Sequence, residues 1–254
     1  MASDPERFAR LLVDRASFLR TLAEGAVSKR ELADAHDVSR STVDRAVRDL
    51  EATGAVERRD GVVALTLVGR LGLAAHDAFR ADVDALAGAA SLSALPATAS
   101  VTLDVVRGAE IIDADSKTPH RPVSVLTDLL AEAVRVELYA TRVLPEAMDT
   151  LCRRVDTGLV LDAYVVPDVL DALFVDFRAP IETILQSETV TLFEAEPTYP
   201  FGLILCHLPD GRRVACLACG DRGVALLLVN DTREALAWAR ERLDRVASSA
   251  HPLR

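Results

Sequence analysis

Apolar positions in the first third of the chain recur at helical spacing and stop where capping residues stand. Phe8, Leu11, Leu12, Phe18, Leu19 and Leu22 fit one helix over 5–24, closed by Gly25. Ser28 and Glu31 form an S-x-x-E capping box, which predicts a short second helix from Lys29. The turn His36-Asp37-Val38 follows, and Ser39 is placed as the N-cap of a third helix. There Val43, Ala46, Val47 and Leu50 fall at i, i+3, i+4 and i+7 and face inward. The turn lacks a glycine, but Asp37 tolerates the left-handed conformation it needs. Two short apolar runs then flank Asp60-Gly61, a strong signal for a tight hairpin. Thr66 is placed to cap a long helix from Leu67 to about residue 89. Leu67, Leu71, Ala75, Phe79, Val83 and Leu86 make one stripe along it, which either covers the N-terminal core or pairs with a second copy of the chain.

Beyond Ser91-Leu-Ser-Ala-Leu-Pro96 the pattern alternates helix and strand. Helical spacing covers 123–133, 145–156, 169–174, 180–186 and 232–247; strand-like runs cover 134–141, 158–165, 189–194, 201–207, 213–219 and 223–229. Asp210-Gly211 and Asp221-Arg222-Gly223 look like hairpin turns joining the last three strands. The expected fold is therefore a two-domain α+β / α/β chain. A winged helix–turn–helix spans 1–66, a linker or dimerisation helix 67–96, and an α/β domain with a mixed sheet 97–254.

Charge changes this picture in two ways. The 254 residues carry a net charge of −10, with 27 Arg against 2 Lys and 24 Asp against 15 Glu. Scarce lysine and abundant aspartate suit a high-salt cytoplasm, where an acidic surface keeps proteins dissolved; a GC-rich genome produces a similar bias. The acid is also unevenly placed. Residues 1–70 hold 12 basic and 12 acidic side chains, whereas 97–254 hold 16 and 24. No uncharged apolar run is long enough to span a membrane and the N-terminus has no signal-peptide pattern, so a cytoplasmic protein without disulfides is expected.

The outward face of the third helix carries Arg40, Ser41, Thr42, Asp44, Arg45 and Arg48. Guanidinium forks and short hydroxyls are what guanine edges and phosphates require, so double-stranded operator DNA is the expected partner. Lys29 and the wing arginines Arg58 and Arg59 complete the expected DNA-binding set. The alternative is a winged helix used for protein contacts. No phosphate loop, G-x-S-x-G or H-x-K motif is present, so no enzyme, cofactor or metal is expected. Cys206-His207 with Cys216 and Cys219 could sense metal or redox state, but their apolar neighbours favour plain core packing. Pro119-His120-Arg121-Pro122 feeds a helix and could meet an anionic or polyol ligand. Thr141, Arg142, Pro167, Phe201 and Gly202 lie at strand ends, where α/β sheets place ligands.

The helix–turn–helix resembles archaeal winged-helix regulators in its run Ser39-Arg-Ser-Thr-Val-Asp-Arg-Ala-Val-Arg-Asp-Leu-Glu51. The second half resembles the effector domain of haloarchaeal regulators of the methanogenesis-regulator (FilR) type, with the sugar-responsive TrmB type sharing the general plan. The matching segments, in order, are Gly108-Ala-Glu110, Pro119-His-Arg-Pro122, 165–173, Pro200-Phe-Gly-Leu203 and 231–238. This resemblance implies a transcription regulator with a sensory C-terminal domain, and because regulators bind paired half-sites a homodimer is expected. A polar metabolite near His120 and Arg121 is the expectation, with a redox- or metal-responsive regulator using Cys206, Cys216 and Cys219 as the alternative.

Overall fold

The computed structural model describes residues 4–220 and 223–253. Its contacts divide it into two units, Met1–Asp84 and Ala85–Arg254. In the first, the expected single helix over 5–24 is two helices, α1 (Pro5–Asp14) and α2 (Ala16–Glu24). Asp4 caps α1 by accepting from the Glu6 and Arg7 amides, and the chain bends at Arg15, whose φ of −119° is not helical. β1 (Val27–Ser28), α3 (Lys29–His36) and α4 (Arg40–Ala52) follow. Both halves of the capping box are made. The Glu31 amide donates to Ser28 Oγ at 3.2 Å, and the Ser28 amide donates to the Glu31 carboxylate at 2.7 Å. The Ser28 amide bond holds the Glu31 carboxyl below its ordinary pKa. Asp37 takes the left-handed turn (φ 49°) in the absence of a glycine.

β2 (Val56–Arg59) and β3 (Val62–Leu65) form the wing hairpin, with Asp60 and Gly61 at φ 50° and 82°. The order β1-β3-β2 makes a three-stranded antiparallel sheet. Leu19, Leu32, Val43, Ala46, Val47, Leu50 and Val63 fill the core beneath it. α5 (Leu67–Gly88) starts on Thr66, whose Oγ1 accepts from the Gly69 amide. Gly69 has no room for a side chain, since a Cβ there would sit 2.1 Å from the Ala55 carbonyl oxygen.

The second unit opens with a 3₁₀ turn at Ala90–Ala94, the short α6 (Leu103–Val106) and β4 (Glu110–Asp113). Then come α7 (Arg121–Glu132), β5 (Arg135–Ala140), α8 (Pro145–Val155), β6 (Val160–Val165), α9 (Pro167–Asp176), α10 (Arg178–Gln186) and β7 (Val190–Glu194). β8 (Gly202–His207), β9 (Arg213–Cys219), β10 (Leu226–Asn230), α11 (Arg233–Ser249) and β11 (His251–Pro252) complete it. All these strands join one mixed sheet in the order β11-β7-β6-β5-β8-β9-β10-β4, in which only the β5–β6 and β6–β7 pairs are parallel. Asp210-Gly211 does turn β8 into β9, with Gly211 at φ 86°. The turn expected at Asp221-Arg222 lies outside the described residues.

Register sorts the sheet into two faces. Leu138, Ala163, Ile204 and Ala218 share one face with side chains of α7–α10. Glu137 and Phe201 meet α11 through Arg240 and Trp238. Asn230 ties the ends together. Its Nδ2 donates to the Val105 and Arg107 carbonyls at 2.8 Å each, and its Oδ1 accepts from the Thr232 amide.

Candidate nucleic-acid interface and candidate ligand cavity

The inward stripe of α4 fixes which residues it presents outward. Val43, Ala46, Val47 and Leu50 are fully buried, so Arg40, Ser41, Arg45 and Arg48 are held in solvent on the opposite side. Among the described residues Arg40, Arg45 and Arg48 make no ion pair with a carboxylate, whereas the other candidate cations do. Lys29 donates to Asp44 at 2.5 Å, and that bond holds the Asp44 carboxyl below its ordinary pKa. Arg58 pairs with Glu51 through both Nε and Nη2, and Arg59 meets Glu57 at 2.9 Å. Thr42 is half-buried and engaged with Ser39, whose Oγ also accepts from the Thr42 amide. The candidate set thus divides into three α4 guanidiniums without an ion pair, of which Arg48 helps lower the Asp44 carboxyl pKa, and three cations held at its base and on the wing.

In the second unit, an apolar cavity of about 110 Å³ lies between sheet and helices. Leu138, Ala163 and Ile204 form its floor, and Leu126, Ala147 and Ile184 are among the side chains that roof it. Thr141, Arg142 and Gly202 belong to its wall. Thr141 Oγ1 and Arg142 Nε are buried there without hydrogen-bond partners, while Arg142 Nη1 donates to the Gly223 carbonyl at 3.3 Å. A buried unpaired donor costs about 1–3 kcal/mol. The remaining candidates lie elsewhere. His120 and Arg121 are exposed at the start of α7, Pro167 is exposed at the start of α9, and Phe201 is buried in a ring stack between Tyr199 and Trp238. At Gly202 a Cβ would meet the Tyr139 carbonyl oxygen at an ordinary 3.5 Å, so the glycine is not needed for close approach.

Cys206 and Cys216 are fully buried on β8 and β9, and Cys219 is nearly so. Burial pushes the Cys206 thiol up to about 12 and raises Cys216 well above its ordinary value. The thiolate is the reactive form. Treatment of the native protein with a thiol-alkylating reagent at pH 8 should therefore leave Cys206 and Cys216 unmodified until the chain is unfolded, as read by peptide mass spectrometry. Rapid native labelling of either would count against a purely packing role.

One charged cluster escaped the sequence reading. Glu137, buried in the middle of β5, accepts two bonds from Arg240 at 2.5 and 2.6 Å, with His207 Nε2 at 3.1 Å. Arg135 lies 3.6 Å from it and also pairs with Asp162. The available signal was a single acid between Val136 and Leu138 in a strand that also starts on an arginine.

Residues 119–249 match the model of the methanogenesis regulatory protein FilR1, middle domain. The chain belongs to the FilR1 middle-domain family. Residues 4–87 also match the HVO_A0261 N-terminal domain. The FilR1-type region therefore holds both the cavity and the charged cluster, and the second match holds the helix–turn–helix and wing. Among curated proteins nothing matches the chain. Solved structures to which the chain is similar include TrmBL2, described as an archaeal chromatin protein with a novel mode of DNA binding. It is 14% identical over 98% of this chain and 100% of that one, with a TM-score of 0.45. Nuc of Salmonella typhimurium, a phospholipase D family member, is 9% identical over 58% of this chain and 98% of that one, at TM-score 0.42. Polyphosphate kinase of Porphyromonas gingivalis is 16% identical over 59% and 27%, at 0.41. Among the described residues no helix is long and apolar enough to cross a membrane.

Proposed function

We propose that this FilR1-family chain is a sequence-specific, DNA-binding transcription regulator whose second unit responds to a small molecule. The observation that carries the DNA reading is the α4 face, where three arginines stand in solvent with no ion pair among the described residues while the neighbouring cations are paired. A neutral winged helix gains little from counterion release at molar salt, so recognition there rests on base contacts and duplex shape. Selection of bound duplexes from a random pool, in high salt, tests it. One enriched motif is expected; retention of no sequence above background favours the protein-contact reading of the winged helix.

The regulator is proposed to act as a homodimer, because two-fold symmetry supplies paired half-sites. The support is the α5 stripe. Leu67, Val68, Leu71, Phe79 and Val83 are exposed, Phe79 at 65%, so the stripe does not cover the N-terminal core. Only Gly69, Gly72 and Leu73 of α5 are buried. Phe79→Glu combined with Leu71→Glu is expected to convert a dimer to a monomer in sedimentation velocity while keeping the wild-type circular dichroism spectrum. An unchanged sedimentation coefficient would assign the dimer contact elsewhere or remove it.

A small-molecule role for the second unit is supported by its apolar cavity, with Thr141, Arg142 and Gly202 in its wall. No catalytic constellation accompanies that cavity among the described residues, so binding without turnover is the reading. To regulate, a ligand must bind the DNA-competent and incompetent states unequally, by about 1–3 kcal/mol.

A further inference from the structure

We infer that the cavity takes a small monocarboxylate with a hydrocarbon or aryl body, its carboxylate held by Thr141 and Arg142. This deepens the effector reading above and rests on it. The lining decides against sugars and other polyols. Leu126, Leu138, Ala163 and Ile204 offer a hydroxyl nothing to bond with, and burying an unpaired hydroxyl is costly. Volume decides the size of the body. A dry engineered cavity of about 150 Å³ accepts benzene, so a space of about 110 Å³ limits the body to at most one ring or roughly six carbons and excludes a nucleotide or cofactor.

The wall decides the head group. Thr141 Oγ1 and Arg142 Nε belong to consecutive residues just beyond β5, and both are buried without partners. Both can donate, and one of them carries a guanidinium charge that makes no ion pair with a carboxylate among the described residues. An acceptor with several lone pairs and a negative charge satisfies both donors at once, which is the description of a carboxylate. An alcohol satisfies them less well and leaves the charge unmatched. The site lies at the carboxyl ends of the parallel strands, and the apolar body would extend from there between the sheet and the helices.

Titration calorimetry on the full-length protein tests this with phenylacetate and hexanoate, against benzyl alcohol and a hexose as controls. Both acids should bind, benzyl alcohol at least tenfold more weakly, and the hexose not at all. Arg142→Gln and Thr141→Val should each weaken the acids at least tenfold and leave benzyl alcohol unchanged. Ala163→Leu should fill the cavity and abolish binding of both acid and alcohol. If that variant fails to show the wild-type circular dichroism, Ala147→Val serves in its place. Absence of acid binding to the wild type, or acid binding that survives cavity filling, would overturn the inference. Operator affinity separates this outcome from the wider reading. Acid binding that leaves operator affinity unaltered supports the cavity and defeats the sensing role. A hexose that binds and shifts operator affinity, with the acids inert, defeats the carboxylate and keeps sensing.

Discussion

Arg45→Ala should weaken binding to the selected duplex by about 1–3 kcal/mol, roughly 5- to 150-fold, and relax preference at one base position. Arg45 is exposed on the α4 face between the buried pair Val43 and Ala46. Its guanidinium has no carboxylate to leave before it meets a guanine edge. Replacing Arg40, Arg45 and Arg48 together should remove sequence-specific binding, with a melting temperature near that of the native chain because none of the three packs in the core. The wing behaves differently. Arg58 must release Glu51 and Arg59 must release Glu57 before either reaches a phosphate. Alanine at those positions should weaken all duplexes alike, lower the salt dependence by about one counterion per lost phosphate contact, and leave base preference intact. Competition binding over a salt series distinguishes the two patterns. A triple α4 variant that still selects the native motif would defeat the DNA reading of this face.

Arg240→Leu should be the most destabilising single change in the second unit, costing about 3–5 kcal/mol in chemical unfolding, since it strips the main partner from a buried carboxylate. Burial alone would raise the Glu137 carboxyl pKa, but the Arg240 bonds, with help from His207 and Arg135, outweigh it and hold the group below its ordinary range. A carboxyl depressed in the folded state stabilises the protein above its unfolded pKa, and that contribution disappears as pH falls through the folded value. The gap between native chain and variant should therefore be widest near neutrality and narrow on acidification through the carboxylate range. Adding Glu137→Leu to the variant should restore much of the loss, because a matched apolar pair replaces a broken ionic one. A variant gap that is flat across pH 3–7 would show that lost packing, not the stranded charge, sets the cost.

The winged helix was legible because local chemistry writes it. Ser28, Ser39 and Thr66 each accept from an amide of the helix they start, and Asp60-Gly61 supplies the positive φ of the hairpin. The bend at Arg15 was not, because neither glycine nor proline marks it. β4 and β11 were missed for a different reason. β4 shows only two adjacent apolar residues and β11 is two residues long, so each depends on a distant partner, β10 and β7 respectively. Thr141, Arg142 and Gly202 could be placed at strand ends from the pattern alone. That they border an apolar cavity depends on the register of β5, β6, β8 and β9 and on four helices closing over it, none of which is written locally. His120 and Arg121, on a proline-flanked loop that the pattern also picked out, are exposed and outside the wall of this cavity.

Aspartates, not glycines, make two of the left-handed turns in the winged helix, Asp37 between α3 and α4 and Asp60 at the tip of the wing. Both side chains are exposed. A glycine would shape either turn without charge; an aspartate adds a fixed anion beside an approaching polyanion. If α4 docks in the major groove, any pose that presses either carboxylate against the phosphodiester chain is penalised by like-charge repulsion. The turns then act as bumpers, discarding misaligned encounters and narrowing the angles at which the helix can enter. Neutralising both with Asn, which also tolerates the left-handed conformation, should accordingly strengthen binding to unrelated duplexes more than to the selected one.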